Sequence, residues 1–207
     1  MEEIVLEKNQ YYWIKDQIKE YVPAMLIDDK SSDNGTNTVY RFELFESHNM
    51  HNKAEITVPF VSIVGRVPNP ATVHLTRFPD DLVNSADISE QSILWCLEKR
   101  FARNAIYSSI GPILIALNPY RNIDGLYTQE TLQSYVSTQM INPVDSQILA
   151  NSKDAQKPLA PHVWTIAHNA YHRLVEQNTK QAIIISGESG SYMNIYKYIY
   201  KYLSVNL

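Results

Sequence analysis

Up to about Pro70 the apolar residues of the chain come in short alternating runs. YYWIKD, VPAMLID, VYRFELFE and EITVPFVSIVG are rich in aromatic and β-branched side chains and are separated by turn residues. That pattern predicts half-buried strands in a small sheet. The polar tract KSSDNGTN, residues 30–37, contains Asn34-Gly35, a pair suited to the positive φ values of a tight hairpin turn. Pro68 and Pro70 end the pattern, because neither offers an N–H to a ladder and each drives its predecessor toward extended backbone. The expected division is a small all-β unit over residues 1–70 and a second region over 71–207.

After Pro79 the period changes. Ser89 precedes Ile93, Leu94, Leu97 and Phe101, a helical spacing that Asp87 or Ser89 would cap. Residues 111–120, GPILIALNPY, are apolar without alternation between Gly-Pro and Asn-Pro. Such a run predicts a strand buried on both faces, as in a parallel sheet. Residues 131–136 predict a short helix, and the polar residues 137–157 a loop insertion. Pro161 opens a helix running through Val175, with Val163, Ile166, Ala167, Ala170 and Leu174 on one face. A second buried strand is expected over residues 182–186. Strand, helix, strand and Gly-rich turn together predict an α/β sheet that holds its ligand at the strand ends.

That turn, Gly187, Glu188, Ser189, Gly190 and Ser191, matches the opening of a phosphate-binding loop in its required place after a strand. In G-x-x-x-x-G-K-[ST], glycines let backbone amides curl around phosphate oxygens, the lysine reaches the outer phosphates and the hydroxyl binds magnesium. Here the chain continues with Tyr192, Met193 and Asn194. Tyrosine obstructs close backbone approach, methionine carries no charge, and asparagine substitutes poorly for the hydroxyl. Losing one electrostatic contact to a transferring phosphoryl group costs on the order of 3 kcal/mol of transition-state stabilisation. No catalytic residue is therefore assigned, and the loop as written is not expected to hydrolyse a nucleotide.

Composition narrows the classes further. A net charge of -4 without a dense basic run argues against nucleic acid as a partner. The single cysteine, Cys96, has no internal disulfide partner and sits beside Trp95 as a packed thiol would, which fits a reducing compartment. The acidic N-terminus MEEIVLEKNQ lacks the pattern of a secretory signal. The apolar runs fall short of the roughly 20 residues that span a bilayer, so no transmembrane segment is expected. His168 and His172 stand four apart with His162 nearby, but no Glu intervenes as in HExxH, and exposed or partly buried helix histidines are the expected reading rather than a metal site.

From Asp81 onward the sequence resembles the motor head of the myosins. DLVN (Asp81 to Asn84), IYSSIGPILIALNPY (residues 106–120), PHVWTIAHNAYHRL (residues 161–174) and IIISGESG (residues 183–190) are similar to successive family landmarks, in the family's order. Upstream, YYWIKD and ITVPFVSIV resemble the small Src-homology-type barrel that precedes many myosin heads. The resemblance implies an α/β P-loop NTPase-type motor domain fragment, with parallel strands and helices, behind that barrel. It implies ATP with Mg as cofactor, actin filaments as partner of the complete protein, and a cytoplasmic, cytoskeleton-associated location. It also implies that Asn118, Pro119, Tyr120 and Tyr127 pack on adenine, although the spacing to Tyr127 is one residue longer than the family's. Gly187, Glu188, Ser189, Gly190 and Ser191 would supply the first half of the phosphate loop, while the family's lysine and threonine have no counterpart here.

The tail from Tyr192 interleaves Tyr196, Tyr198, Tyr200 and Tyr202 with Lys197, Ile199 and Lys201. Its composition suits translation of an AT-rich intron. A genuine divergent helix with Ile195, Ile199, Tyr202 and Leu203 on one face is the alternative. A second functional class also stands beside the motor reading: a non-catalytic interaction module that keeps a degenerate nucleotide fold.

Overall fold

The computed structural model describes residues 4–31, 38–47, 54–85, 87–137, 159–187 and 199. The chain forms two compact units, one of Met1–Phe78 with Ser85–Glu98 and one of Pro79–Asn84 with Lys99–Leu207.

The first unit is built on five antiparallel strands: β1 (Tyr11–Asp16), β2 (Glu20–Ser31), β3 (Thr38–Leu44), β4 (Glu55–Pro59) and β5 (Ile63–Arg66). Their order across the sheet is β4-β3-β2-β1-β5. The β1–β2 turn is made by one carboxylate: Asp16 Oδ1 accepts the amides of Ile18 at 2.9 Å and Lys19 at 2.8 Å. Those bonds, the Lys19 amide first, hold the Asp16 carboxyl below its ordinary pKa. Ser31 pairs with Thr38, so β2 and β3 form the hairpin flanking the expected Asn34-Gly35 turn, which itself lies outside the described residues. Pro23 pairs with Trp13 on β1, but the β3 ladder starts only at Ala24, so the missing N–H leaves no gap in it.

β4 and β5 are the two edges of the sheet, yet only the 3-10 turn Phe60–Ser62 separates them in the chain. A three-residue link across both edges requires the sheet to curl on itself, which makes the unit barrel-like. Strand alternation sorts the core. Tyr12, Ile14, Ala24, Leu26, Phe42 and Ile63 pack together, whereas Trp13 joins Val67, Ala71, Leu75 and Trp95 in a second cluster. That cluster draws on α1 (Ala71–Thr76) and α2 (Glu90–Phe101).

In α2, Ser89 Oγ takes the Ser92 amide while Asp87 accepts from Ser89 and from the Ser92 hydroxyl, as the capping signal predicts. The buried face differs from the expected one. Trp95, Cys96 and Arg100 are buried, while Leu94 and Phe101 are exposed. The Trp95 ring meets Trp13 and Phe45 edge-on, and its Nε1 donates to Leu75 O at 3.2 Å. Area plus a satisfied polar handle favours indole over leucine at that face.

The second unit contains β6 (Tyr107–Ile110), β7 (Ile113–Ala116), α3 (Gln129–Val136) and α4 (Val163–Glu176). Its core joins Ile106, Tyr107, Leu132, Tyr135, Val163, Trp164 and Ala167. Two expectations need correction here. The run 111–120 is not a strand buried on both faces: β7 pairs antiparallel with β6, and Ile113 is 64% exposed. Gly111, at φ 55°, reverses the chain so tightly that the neighbour of β7 is the segment just before it. Residues 182–186 are not a strand, and Ile184 is 89% exposed. Extended apolar backbone becomes a strand only beside a partner ladder, and none pairs with it among the described residues. Residues 138–158, covering nearly all of the expected insertion, lie outside the described residues.

Candidate functional site

The site is assembled on the β6–β7 hairpin and the segments that brace it. Asp81 Oδ1 accepts the amides of Val83 and Gly111, both at 3.1 Å, tying the DLVN segment to the hairpin turn. Arg100 is 5% exposed and uses its whole fork: Nε to Ser108 Oγ, one terminal nitrogen to Tyr107 O and the other to Asp80 Oδ1, each at 2.8 Å. A planar guanidinium meets three acceptors in one geometry, which a lysine cannot do.

After β7 the chain turns at Asn118, whose Oδ1 accepts the Tyr120 amide at 2.8 Å. This Asx turn carries Pro119 between them and places Tyr120 at φ 51° with its residue surface 90% exposed. Arg121 next bonds Asn104 Oδ1. Asn118, Pro119 and Tyr120 thus form one local unit presenting an uncovered aromatic ring.

Tyr127 belongs to a different cluster. Its hydroxyl meets that of Tyr107 at 2.6 Å, and its ring stands edge-on to His162 and Trp164 at centroid distances of 5.5 and 6.1 Å. His162 caps α4: its Nδ1 accepts the Trp164 amide at 3.1 Å, and its Nε2 lies 3.2 Å from Leu126 O. Tyr107, Tyr135 and Trp164 surround the same ring at 5.0, 5.1 and 4.5 Å. Burial pushes the His162 pKa down to about 4, against the opposing pull of the Leu126 carbonyl. Tyr135 donates to Ala160 O at 2.7 Å, and burial, then the Asp80 charge, pushes its hydroxyl up to about 12.

Sequence reasoning missed the role of His162. Histidine is outside the preferred capping set, and the partner of its second nitrogen lies 36 residues away. The expectation for His168 is also corrected. It is completely buried rather than exposed or partly buried, and its pKa falls to about 4 through burial and the neighbouring His172, with Glu176 opposing. No group of three or more His, Cys, Asp or Glu among the described residues is placed to hold a metal.

Gly187 lies exposed at the end of the 181–187 segment, which has no regular secondary structure; Glu188, Ser189, Gly190 and Ser191 lie outside the described residues. Of the tail only Ile199 is described. It is helical and packs against the core of the second unit.

Comparison with known proteins assigns the family. Residues 79–206 match the myosin head (motor domain) family. Myosin heavy chain IB of Acanthamoeba castellanii is 40% identical over 115 residues, covering 56% of this chain and 9% of that protein. Myosin IC heavy chain of Dictyostelium discoideum is 36% identical over 112 residues, 54% of this chain and 8% of the relative. Myosin-52 of Schizosaccharomyces pombe is 28% identical over 195 residues, 93% of this chain and 11% of its own length. The chain belongs to the myosin head (motor domain) family and spans about a tenth of the length of these relatives. No described helix is long and apolar enough to cross a membrane.

Proposed function

We propose that this chain carries the opening nucleotide-facing elements of an ATP-dependent, actin-based motor. Four sequence landmarks falling in family order carry this reading, all of them inside the matched residues 79–206. Tyr120 offers an exposed aromatic ring on backbone turned by Asn118, and Tyr127, held by Tyr107 in a separate cluster, offers a second ring of the kind that packs on a purine. Gly187, Glu188, Ser189, Gly190 and Ser191 would supply the amide half of a phosphate loop by their sequence, and of these only Gly187 is among the described residues. Magnesium does not fit the chain as written, since Met193 and Asn194 replace the charge and the hydroxyl. The role proposed is therefore nucleotide contact without hydrolysis, in a cytoplasmic, cytoskeleton-associated protein whose complete form grips actin filaments.

The P-loop α/β sheet belongs to this proposal too. Along residues 182–186 exposure alternates, with Ile183 and Ile185 half-buried and their neighbours exposed. One face of the segment is partly covered, and on this proposal it pairs with parallel neighbours supplied by a longer chain.

Thermal melting of the 207-residue chain with and without ATP and magnesium tests nucleotide contact. A ligand present at 100 times its dissociation constant adds about 2.7 kcal/mol. A higher midpoint supports the reading. An unchanged one favours the second reading, a non-catalytic interaction module, for which the departures at Tyr192, Met193 and Asn194 already speak.

A further inference from the structure

We infer that His162 is a positioning residue whose single imidazole ties the start of α4 to the turn that carries Tyr127. The Trp164 amide can only donate, so Nδ1 must accept; the Leu126 carbonyl can only accept, so Nε2 must carry the proton. Both bonds exist together only in the neutral ring with its proton on Nε2. Capping alone does not explain a histidine, because Ser, Thr, Asp or Asn does that with a shorter side chain. What the longer ring adds is reach to the carbonyl of the peptide bond entering Tyr127. Tyr107 holds the same tyrosine at its far end, hydroxyl to hydroxyl at 2.6 Å. Tyr127 is thereby pinned through its backbone and its tip, and the ring that does the first is 1% exposed inside Tyr107, Tyr135 and Trp164.

If Tyr127 faces adenine, His162 sets the position of the purine side without touching the nucleotide. That consequence rests on the proposed function, whereas the tie does not. Two variants separate the two bonds. His162→Asn keeps an acceptor for the Trp164 amide and is too short for Leu126, while His162→Gln reaches toward Leu126 but caps poorly.

Hydrogen exchange on the full 207-residue chain, followed by mass spectrometry, reads each bond separately. In His162→Asn, exchange over residues 121–128 rises about fivefold while the first turn of α4 keeps its protection; His162→Gln gives the reverse. Equal effects of both variants on both segments, or no effect on 121–128 in either, overturn the inference. Nitrogen chemical shifts of His162 in the unsubstituted chain decide the matter even if the variants fail to fold. A proton on Nε2 alone at neutral pH is expected, and a proton on Nδ1 or a charged ring overturns the tie. With ATP and magnesium as probe, His162→Asn weakens the apparent affinity about fivefold more than His162→Gln. An unsubstituted chain that binds no ATP defeats the nucleotide reading and leaves the exchange result to judge His162.

Discussion

Asp81 and Gly111 lie 30 residues apart in the chain, and the Gly111 amide donates to Asp81 Oδ1 at 3.1 Å. The same oxygen takes the Val83 amide, so one carboxylate fixes both the 3-10 turn Leu82–Asn84 and the hairpin reversal between β6 and β7. Asp81→Ala is expected to destabilise the chain by about 1–2 kcal/mol, the net loss of hydrogen bonds to a charged acceptor where the freed amides can still reach water. Asp81→Asn, which keeps an acceptor oxygen, should recover most of that. Urea titration checks both through the midpoint at constant slope; an equal loss in the two variants counts against hydrogen bonding as the cause.

Gly111 itself is expected to resist substitution for a backbone reason. A methyl group there would meet nothing nearer than Val83 Cγ2 at 4.0 Å, so space is available. The positive φ of 55° remains, and a left-handed residue with a Cβ costs roughly 1–2 kcal/mol. Gly111→Ala should lose about that much by denaturant titration and Gly111→Asn less. A larger loss for Asn would point to crowding instead.

Arg100 should tolerate neither a neutral nor a conservative replacement. Arg100→Met orphans Ser108 Oγ and Tyr107 O beside an apolar core, an expected loss of about 2–4 kcal/mol. Arg100→Lys keeps the charge but lacks the fork, so it should recover less than half. Full recovery by lysine in a thermal or urea melt would show that charge alone holds Asp80 and the hairpin.

Stability should depend on pH through His162. Its folded pKa of about 4 lies below the ordinary 6.5, so between those values the unfolded chain binds a proton that the folded chain refuses. Stability therefore rises with pH from about 4 to about 6.5 and is fully present above that. The difference corresponds to on the order of 3 kcal/mol from this group. His168 acts in the same direction, its pKa also being lowered to about 4. Urea midpoints at pH 7.5, 6 and 5 check the slope, and His162→Asn should reduce it. An unchanged slope in the variant would place the dependence elsewhere.

Much of the first unit is legible from residue types alone. Period-2 alternation in YYWIKD sends Tyr12 and Ile14 to one cluster and Trp13 to the other. The Ser89 signal starts α2; in the second unit, Thr128, whose hydroxyl takes the Thr131 amide, starts α3 two residues ahead of the expected 131–136. These features are short-range, settled by backbone conformation and side-chain reach within a few residues. The sheet order is less accessible, because the meeting of β4 and β5 as sequence neighbours at opposite edges follows from curling.

The candidate site is less legible. Asn118 and Tyr120 make a local turn within a run expected as strand, and Tyr127 enters through Tyr107 and His162, at separations of 20 and 35 positions. An unalternating apolar run such as 111–120 or 182–186 states only that burial is favourable and not which surface does the burying; for β7 the partner is the segment just before it. Sequence by itself determined the family landmarks, the Ser89 start of α2 and the missing lysine, all of which depend on residue identity at adjacent positions. Tertiary structure alone decided the reach of Arg100 to Asp80, of Asp81 to Gly111 and of His162 to Leu126, because each is a hydrogen bond whose partner, 20 to 36 positions away, is chosen by packing rather than by proximity in the chain.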